Sequence, residues 1–222
     1  MTKRQLKEDQ FVTSAFQAAD FFQEHKKPIL MGLAGAVLGI AAIFFFMHSQ
    51  ASGAKASAAM LGQGAGLFTS GNYPEAAIQL SRFLDEHPRS SNAGYAAVLA
   101  GDSYYYSGRP SDAAQKYRYA IERAKDGSEV KRAATAGLAA VDESEGKFTE
   151  AARTYEELAA TEKTESGKAR MLYAAGRCYL QGNEFQKAAE IFATVDRELI
   201  DPIQAATLDW FEKEAEIGLA SN

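Results

Sequence analysis

Hydrophobic and polar positions along this 222-residue chain recur with a long period. Paired alanines at Ala76-Ala77, Ala113-Ala114, Ala151-Ala152 and Ala188-Ala189 are spaced 37, 38 and 37 residues apart, as expected of a stacked repeat array. Each pair follows a turn signal: Gly71-Asn72-Tyr73, Gly108-Arg109-Pro110, Gly146-Lys147-Phe148 and Asn183-Glu184-Phe185. A Gly or Asn there takes the left-handed conformation that closes one helix, and the alanines begin the next with almost no side-chain bulk. Four residues after each first alanine stands Leu80, Tyr117, Tyr155 or Phe192, one turn further along the same face, which predicts a ridge buried against a partner helix. Twelve residues before it stand Gly64, Gly101, Ala139 and Gly176, small residues where the first helix of each pair must admit that ridge. No run alternates as a strand would. Asp201-Pro202 predicts an N-cap and first helical residue for a last helix to about Leu219. Leu208, Phe211, Ala215 and Leu219 would be its inner stripe and Lys213 and Glu216 its outer face, covering the end of the array.

Upstream the pattern changes. Phe11, Val12, Ala15, Phe16, Ala19 and Phe22 share one helical face in an otherwise polar segment, 1–27, which predicts an amphipathic helix, either a docking element or a lead-in to the next element. From Ile29 to Met47 no charge occurs. That length matches the roughly 20 residues needed to cross a bilayer as a helix, so residues 28–48 are read as a transmembrane anchor in contact with lipid through 29–47. Small residues at Ser49-Gln50-Ala51 leave cleavage as the alternative to a retained anchor. Lys26 and Lys27, with Lys3, Arg4 and Lys7 behind them, lie on one side, while Lys55 alone follows closely on the other. The positive side stays in the cytoplasm, placing the repeats outside it, in the periplasm of a bacterium with two membranes. Gly35 and Gly39 have the spacing that lets two membrane helices approach, a minority reading as a homo-oligomer contact beside the plain anchor. Residues 49–58, rich in Ala, Ser and Gly, form a short tether, and 59–222 the repeat domain. A fragment beginning at Ala54 is expected to be soluble and helical.

The small, Gly-x-aromatic, Ala, aromatic and Pro positions resemble the tetratricopeptide repeat, best in the first and fourth units, over most of 54–200. The resemblance implies an all-α solenoid of antiparallel helix pairs, here four with a C-terminal capping helix. The chain departs from the family in lacking the early Trp, in a period three or four residues longer than 34, and in having only Pro88 at the terminal Pro position. It also implies a partner-binding groove along the first helices. Carried over by position, its residues are Leu61 and Phe68 in unit one, Tyr95, Val98, Asp102 and Tyr105 in unit two, and Arg170, Tyr173 and Arg177 in unit four. Rings offer contact area at little entropic cost and Arg recognises carboxylates, which suits an extended peptide or a partner helix. Tyr104, Tyr105 and Tyr106 are consecutive, so at least one faces the core.

Composition narrows the chemistry. A net charge of −5 with no basic stripe argues against a nucleic-acid partner. The single Cys178 excludes an intramolecular disulfide or a multi-cysteine metal site and is read as a small buried residue, with a reactive thiol as the minor alternative. His25, His48 and His87 are distributed on both sides of the span, and no phosphate loop, nucleophile elbow or paired-His zinc helix occurs. No cofactor, metal or catalytic site is assigned. The acidic run Asp142-Glu143-Ser144-Glu145 is read as a solvated helix end.

An anchor, its orientation and a closely tethered helical array together resemble the YfgM-like family, the ancillary subunit of the bacterial Sec translocon. That resemblance, architectural rather than motif-based, implies a non-catalytic adaptor passing secreted chains to periplasmic chaperones. A scaffold for a division or wall-synthesis complex, an import-receptor subunit facing the cytosol, and an enzyme with a site hidden in the array remain the alternatives.

Overall fold

The computed structural model describes residues 55–221. The amphipathic segment, the span and nearly all of the tether lie outside them; among the described residues no helix is long and apolar enough to cross a membrane. The chain divides into two compact units, Met1–Ala56 and Ser57–Asn222, and the second is described here.

Every described regular element is a helix. α1 runs over 55–69; α2 (Tyr73–Glu86), α3 (Ala93–Tyr106), α4 (Pro110–Arg123), α5 (Glu129–Ser144), α6 (Phe148–Thr161), α7 (Glu165–Gln181) and α8 (Phe185–Phe192) come next. A short 3-10 turn, Arg197–Leu199, leads to α9 (Pro202–Ser221). Consecutive helices pack on one another, giving four pairs, α1/α2, α3/α4, α5/α6 and α7/α8, closed by α9.

The four turns inside the pairs are built alike. Gly71, Gly108, Gly146 and Asn183 have φ of 78, 73, 79 and 60°. The amide of the next residue donates to a carbonyl five residues back: Asn72 to Leu67, Arg109 to Tyr104, Lys147 to Asp142 and Glu184 to Tyr179, all at 2.9–3.0 Å. This is the Schellman closure, which satisfies carbonyls that a helix end leaves open. Pro74 and Pro110 then sit in the first turn of α2 and α4, where a missing amide proton costs nothing. Of the connections that follow each pair, the first leaves Asn92 at the start of α3 without a side-chain cap bond, and the next three are capped by side chains. Ser128 accepts from the Lys131 amide, Thr164 from Gly167, and Asp201 from Ile203 and Gln204.

The four anchor alanines are fully buried, and so are the Leu80, Tyr117, Tyr155 and Phe192 ridges or nearly so. A Cβ added to Gly64 would stand 2.7 Å from Leu80, one on Gly101 2.5 Å from Tyr117, and one on Gly176 2.4 Å from Phe192. The glycines inside these helices are therefore the floor on which each ridge rests. The residues beyond the family's usual period go to two places: the longer connections 87–92 and 124–128, and the 16- and 17-residue helices α5 and α7. The buried side chains form one cluster in the first two pairs, reaching Ala134 and Val141 of α5, and a second running from α5 to α9.

Leu219, expected on the inner stripe of α9, is exposed. Gly218 takes the inner position instead, its Cα so close to the Phe185 ring that a Cβ would fall at 2.3 Å. Leu208 and Ala215 are fully buried as expected, Phe211 is half-buried, and Lys213 and Glu216 are exposed.

Candidate protein-binding face

Helices two apart meet only along one side of the stack. α3 touches α5 and α7 touches α9, whereas no second helix meets the next second helix to a like extent. First helices thus approach one another at α3/α5 and α7/α9, though not to that extent at α5/α7, and second helices nowhere do so, which puts the first helices on the inner side.

The residues expected on this side fall into three groups. Leu61 and Phe68 of α1, Tyr95 and Tyr105 of α3, and Arg170 and Arg177 of α7 keep part or much of their surface open. Val98 and Tyr173 are each only 8% exposed and are occupied with packing: Tyr173 shares a 2.7 Å hydrogen bond with Thr207 of α9 and lies 5.9 Å from the Phe211 ring. Asp102 is half-buried and accepts a 2.7 Å hydrogen bond from the Tyr117 hydroxyl. Burial raises its carboxyl above the usual range and the tyrosine bond opposes the rise in part.

Of the three consecutive tyrosines, Tyr104 turns towards α2, where its hydroxyl lies 3.2 Å from Ser81 Oγ and Arg109 covers its ring. Tyr106 is the most exposed. It closes an aromatic group with Phe68 and Tyr73, ring centres 5.0–6.3 Å apart, and Tyr105 meets its edge at 5.8 Å. This group joins the first two pairs at the ends of α1 and α3.

In the middle of the array Arg177 of α7 grips Glu143 of α5 with both guanidinium nitrogens, at 2.7 and 2.9 Å. Such a fork ties the third and fourth pairs together. The acidic run is expected to be solvated, yet the Glu143 side chain is only 13% exposed. Its place follows from the period that links Phe68 to Tyr105, a step that the residues expected on this side do not take into the third unit. Beneath it lies Cys178, fully buried. Burial, then the negative charge and hydrogen bond of Glu143, push this thiol up to about 12 against a smaller opposing effect of Arg177. Burial likewise raises the Tyr105 and Tyr155 hydroxyls, and Glu143 adds to both. Cys178 is thus a poor nucleophile.

The third unit contributes alanines where its neighbours carry larger residues. Ala133 and Ala136, with Arg132, Glu162, Arg170 and Met171, line a hollow of about 200 Å³. Of its polar walls, Glu162 stands 3.5 Å from Arg132 and accepts from the Lys163 and Thr164 amides, which hold its carboxyl low, whereas Arg170 pairs with nothing among the described residues. Ala133 and Ala136, standing where the second unit has Tyr95 and Val98 and the fourth Arg170 and Tyr173, are the sequence signal for this hollow. Among the described residues no group of three His, Cys, Asp or Glu side chains converges as metal ligands would.

With this architecture in place, the chain can be compared with known families. The tetratricopeptide repeat-like domain family matches residues 19–199. The chain belongs to that family, and its repeat domain has the family's protein–protein interaction role. No curated protein and no solved structure matches it.

Proposed function

We propose that the protein is a non-catalytic, single-pass membrane adaptor whose repeat domain captures another polypeptide on the side lined by its first helices. The observation that carries the reading is the composition of that side. The first helices carry open rings at Phe68, Tyr95, Tyr105 and Tyr106 and, further along, the Arg177–Glu143 fork and Arg170, supplying the aromatic and guanidinium anchors that dominate protein interfaces. The uncharged stretch 29–47 and the lysines before it support an anchor in a bacterial inner membrane with the repeats periplasmic. The short tether keeps the domain beside the bilayer. On that arrangement, and on the resemblance to the YfgM-like family, the partners are the Sec translocon and periplasmic chaperones, and the cargo is a newly secreted chain.

Two measurements in native membranes test the reading. Protease added outside intact spheroplasts should degrade the chain from Lys55 onward and spare residues 1–27; the reverse pattern contradicts the orientation. Proximity labelling from the repeat domain should enrich translocon and chaperone components. Enrichment of division or wall-synthesis proteins in their place would favour the scaffold.

A further inference from the structure

The repeat period continues past the fourth pair. Leu61, Val98, Ala136 and Tyr173 lead by the same step to Trp210, and Phe68, Tyr105, Glu143 and Leu180 lead to Ile217. α9 bears this register out: it packs on α8 and α7 as α5 packs on α4 and α3. Phe211 stacks on the Phe192 ridge at 5.8 Å and 7°, where Gly137 of α5 lies against the Tyr117 ridge. α9 is thus a fifth first helix, and Trp210 and Ile217 occupy its inner-side line.

Here that line is open. Trp210 is 60% exposed and Ile217 58%, and Ile203, seven residues before Trp210, is 78% exposed. Four of the seven exposed large hydrophobic side chains among the described residues lie on α9, so the open apolar surface is concentrated on this element. Ile203, Trp210 and Ile217 make a straight stripe about 21 Å long. Heptad spacing of this kind is the seam along which one helix packs on another.

The same stretch concentrates the charge. Residues 196–222 hold seven carboxylates and two cations, which accounts for the whole net charge of −5. Arg197 is taken up by Asp209 and Glu212 at 2.9 and 2.6 Å. Glu214 and Glu216, exposed on either flank of the stripe, pair with nothing among the described residues, and the exposed Lys213, three residues from Trp210 and four from Ile217, offsets one of them, so the flanks keep a net negative charge. A second copy would bring carboxylates against carboxylates, and an anionic bilayer would repel the face. A helix with cations beside its apolar seam complements both stripe and flanks.

We infer that α9 is a docking stripe for an amphipathic helix of a partner protein whose apolar seam is flanked by Lys and Arg. This specifies the partner chemistry at one end of the inner side and rests on the adaptor reading above.

Trp210 is the chain's single tryptophan and reports the stripe directly. The test uses the full-length chain in zwitterionic nanodiscs and a synthetic 21-residue helix with Leu on its seam and Lys and Arg on its flanks. The same peptide with Glu flanks is the comparison. The basic peptide should shift Trp210 emission to the blue, shield it from acrylamide, and bind roughly tenfold more tightly at 0.05 M than at 0.5 M salt. Joint Glu214→Lys and Glu216→Lys replacement should weaken it about tenfold, and joint Ile203→Ser and Ile217→Ser replacement should abolish it with the helical circular dichroism intact. Equal binding of both peptides, or of neither, overturns the inference. So does a blue shift that grows with protein concentration alone, which would seat a second copy on the stripe, or one produced by anionic vesicles. Crosslinking from Tyr105 reads the rest of the inner side independently. If it succeeds while the titration fails, the α9 stripe alone is lost; if it fails as well, the adaptor reading falls too.

Discussion

Replacing Gly101 by Ala isolates the contact on which the pairs depend. The new Cβ would lie 2.5 Å from Cε1 and 2.7 Å from Cδ1 of Tyr117. The ring has no room to retreat, because Gly137 of α5 is equally close to it and a Cβ there would fall at 2.4 Å. Its hydroxyl is also held by Asp102 at 2.7 Å. Overpacking of this kind costs about 1–3 kcal/mol, whereas Gly→Ala inside a helix contributes about 1 kcal/mol of favourable propensity. The steric effect cancels or outweighs the propensity gain, for a net loss of up to about 2 kcal/mol and a fall in Tm of up to roughly 8 °C for a domain this size. Gly62 and Gly66 supply the control, since nothing lies within 4 Å of a Cβ on either. Gly62→Ala should therefore stabilise by up to about 1 kcal/mol. The readout is urea unfolding of residues 54–222 monitored by circular dichroism at 222 nm, with Tyr117→Leu completing a double-mutant cycle. Gly101→Ala should cost less when the ring is gone. If it proves as stabilising as Gly62→Ala, or if its cost is unchanged in the Tyr117→Leu background, the ridge-on-glycine account is refuted.

Three other outcomes are expected from the structure. Burial raises the Asp102 carboxyl above the ordinary 3.8, so its contribution is most favourable below about pH 3.8, where folded and unfolded states are both protonated, and declines as pH rises towards the folded value. Asp102→Asn should accordingly stabilise by up to about 1 kcal/mol at pH 7 and lose that advantage near pH 3.5, as read from unfolding midpoints at the two pH values. A thiol at about 12 is thiolate in about one molecule in ten thousand at pH 8, and Cys178 is also fully buried. Disulfide-exchange reagents should therefore label it only as fast as the domain opens; rapid native-state labelling would show the site misplaced. Asn183 holds φ at 60°, so Asn183→Gly should stabilise by about 0.5–1 kcal/mol and Gly108→Ala destabilise by about 1 kcal/mol or more, both read from urea midpoints.

The pairs were legible because their determinants are local and repeated. A left-handed turn, two alanines and a ridge lie within ten residues of one another, and each unit restates the last. The inner side was less legible. The Arg177–Glu143 fork joins residues 34 apart, and its formation depends on how far each pair turns relative to the next, which no single unit encodes. Val98 and Tyr173 stand at positions equivalent to the open Trp210 but are covered, Tyr173 by α9 itself. Periodicity assigns a side of a helix; neighbours decide what remains exposed there. Leu219 is displaced from the inner stripe for a similar reason, since Gly218 fits against Phe185 where a larger side chain would not.

The central claim is that the side lined by first helices receives another polypeptide. A photoreactive amino acid placed at Tyr95 or Tyr105, and for comparison at the exposed Gln115 and Arg153 on second helices, would test it in native membranes. The structure predicts protein adducts from the first two positions and none above background from the others. Equal adducts from all four, or none from Tyr95 and Tyr105, would contradict it.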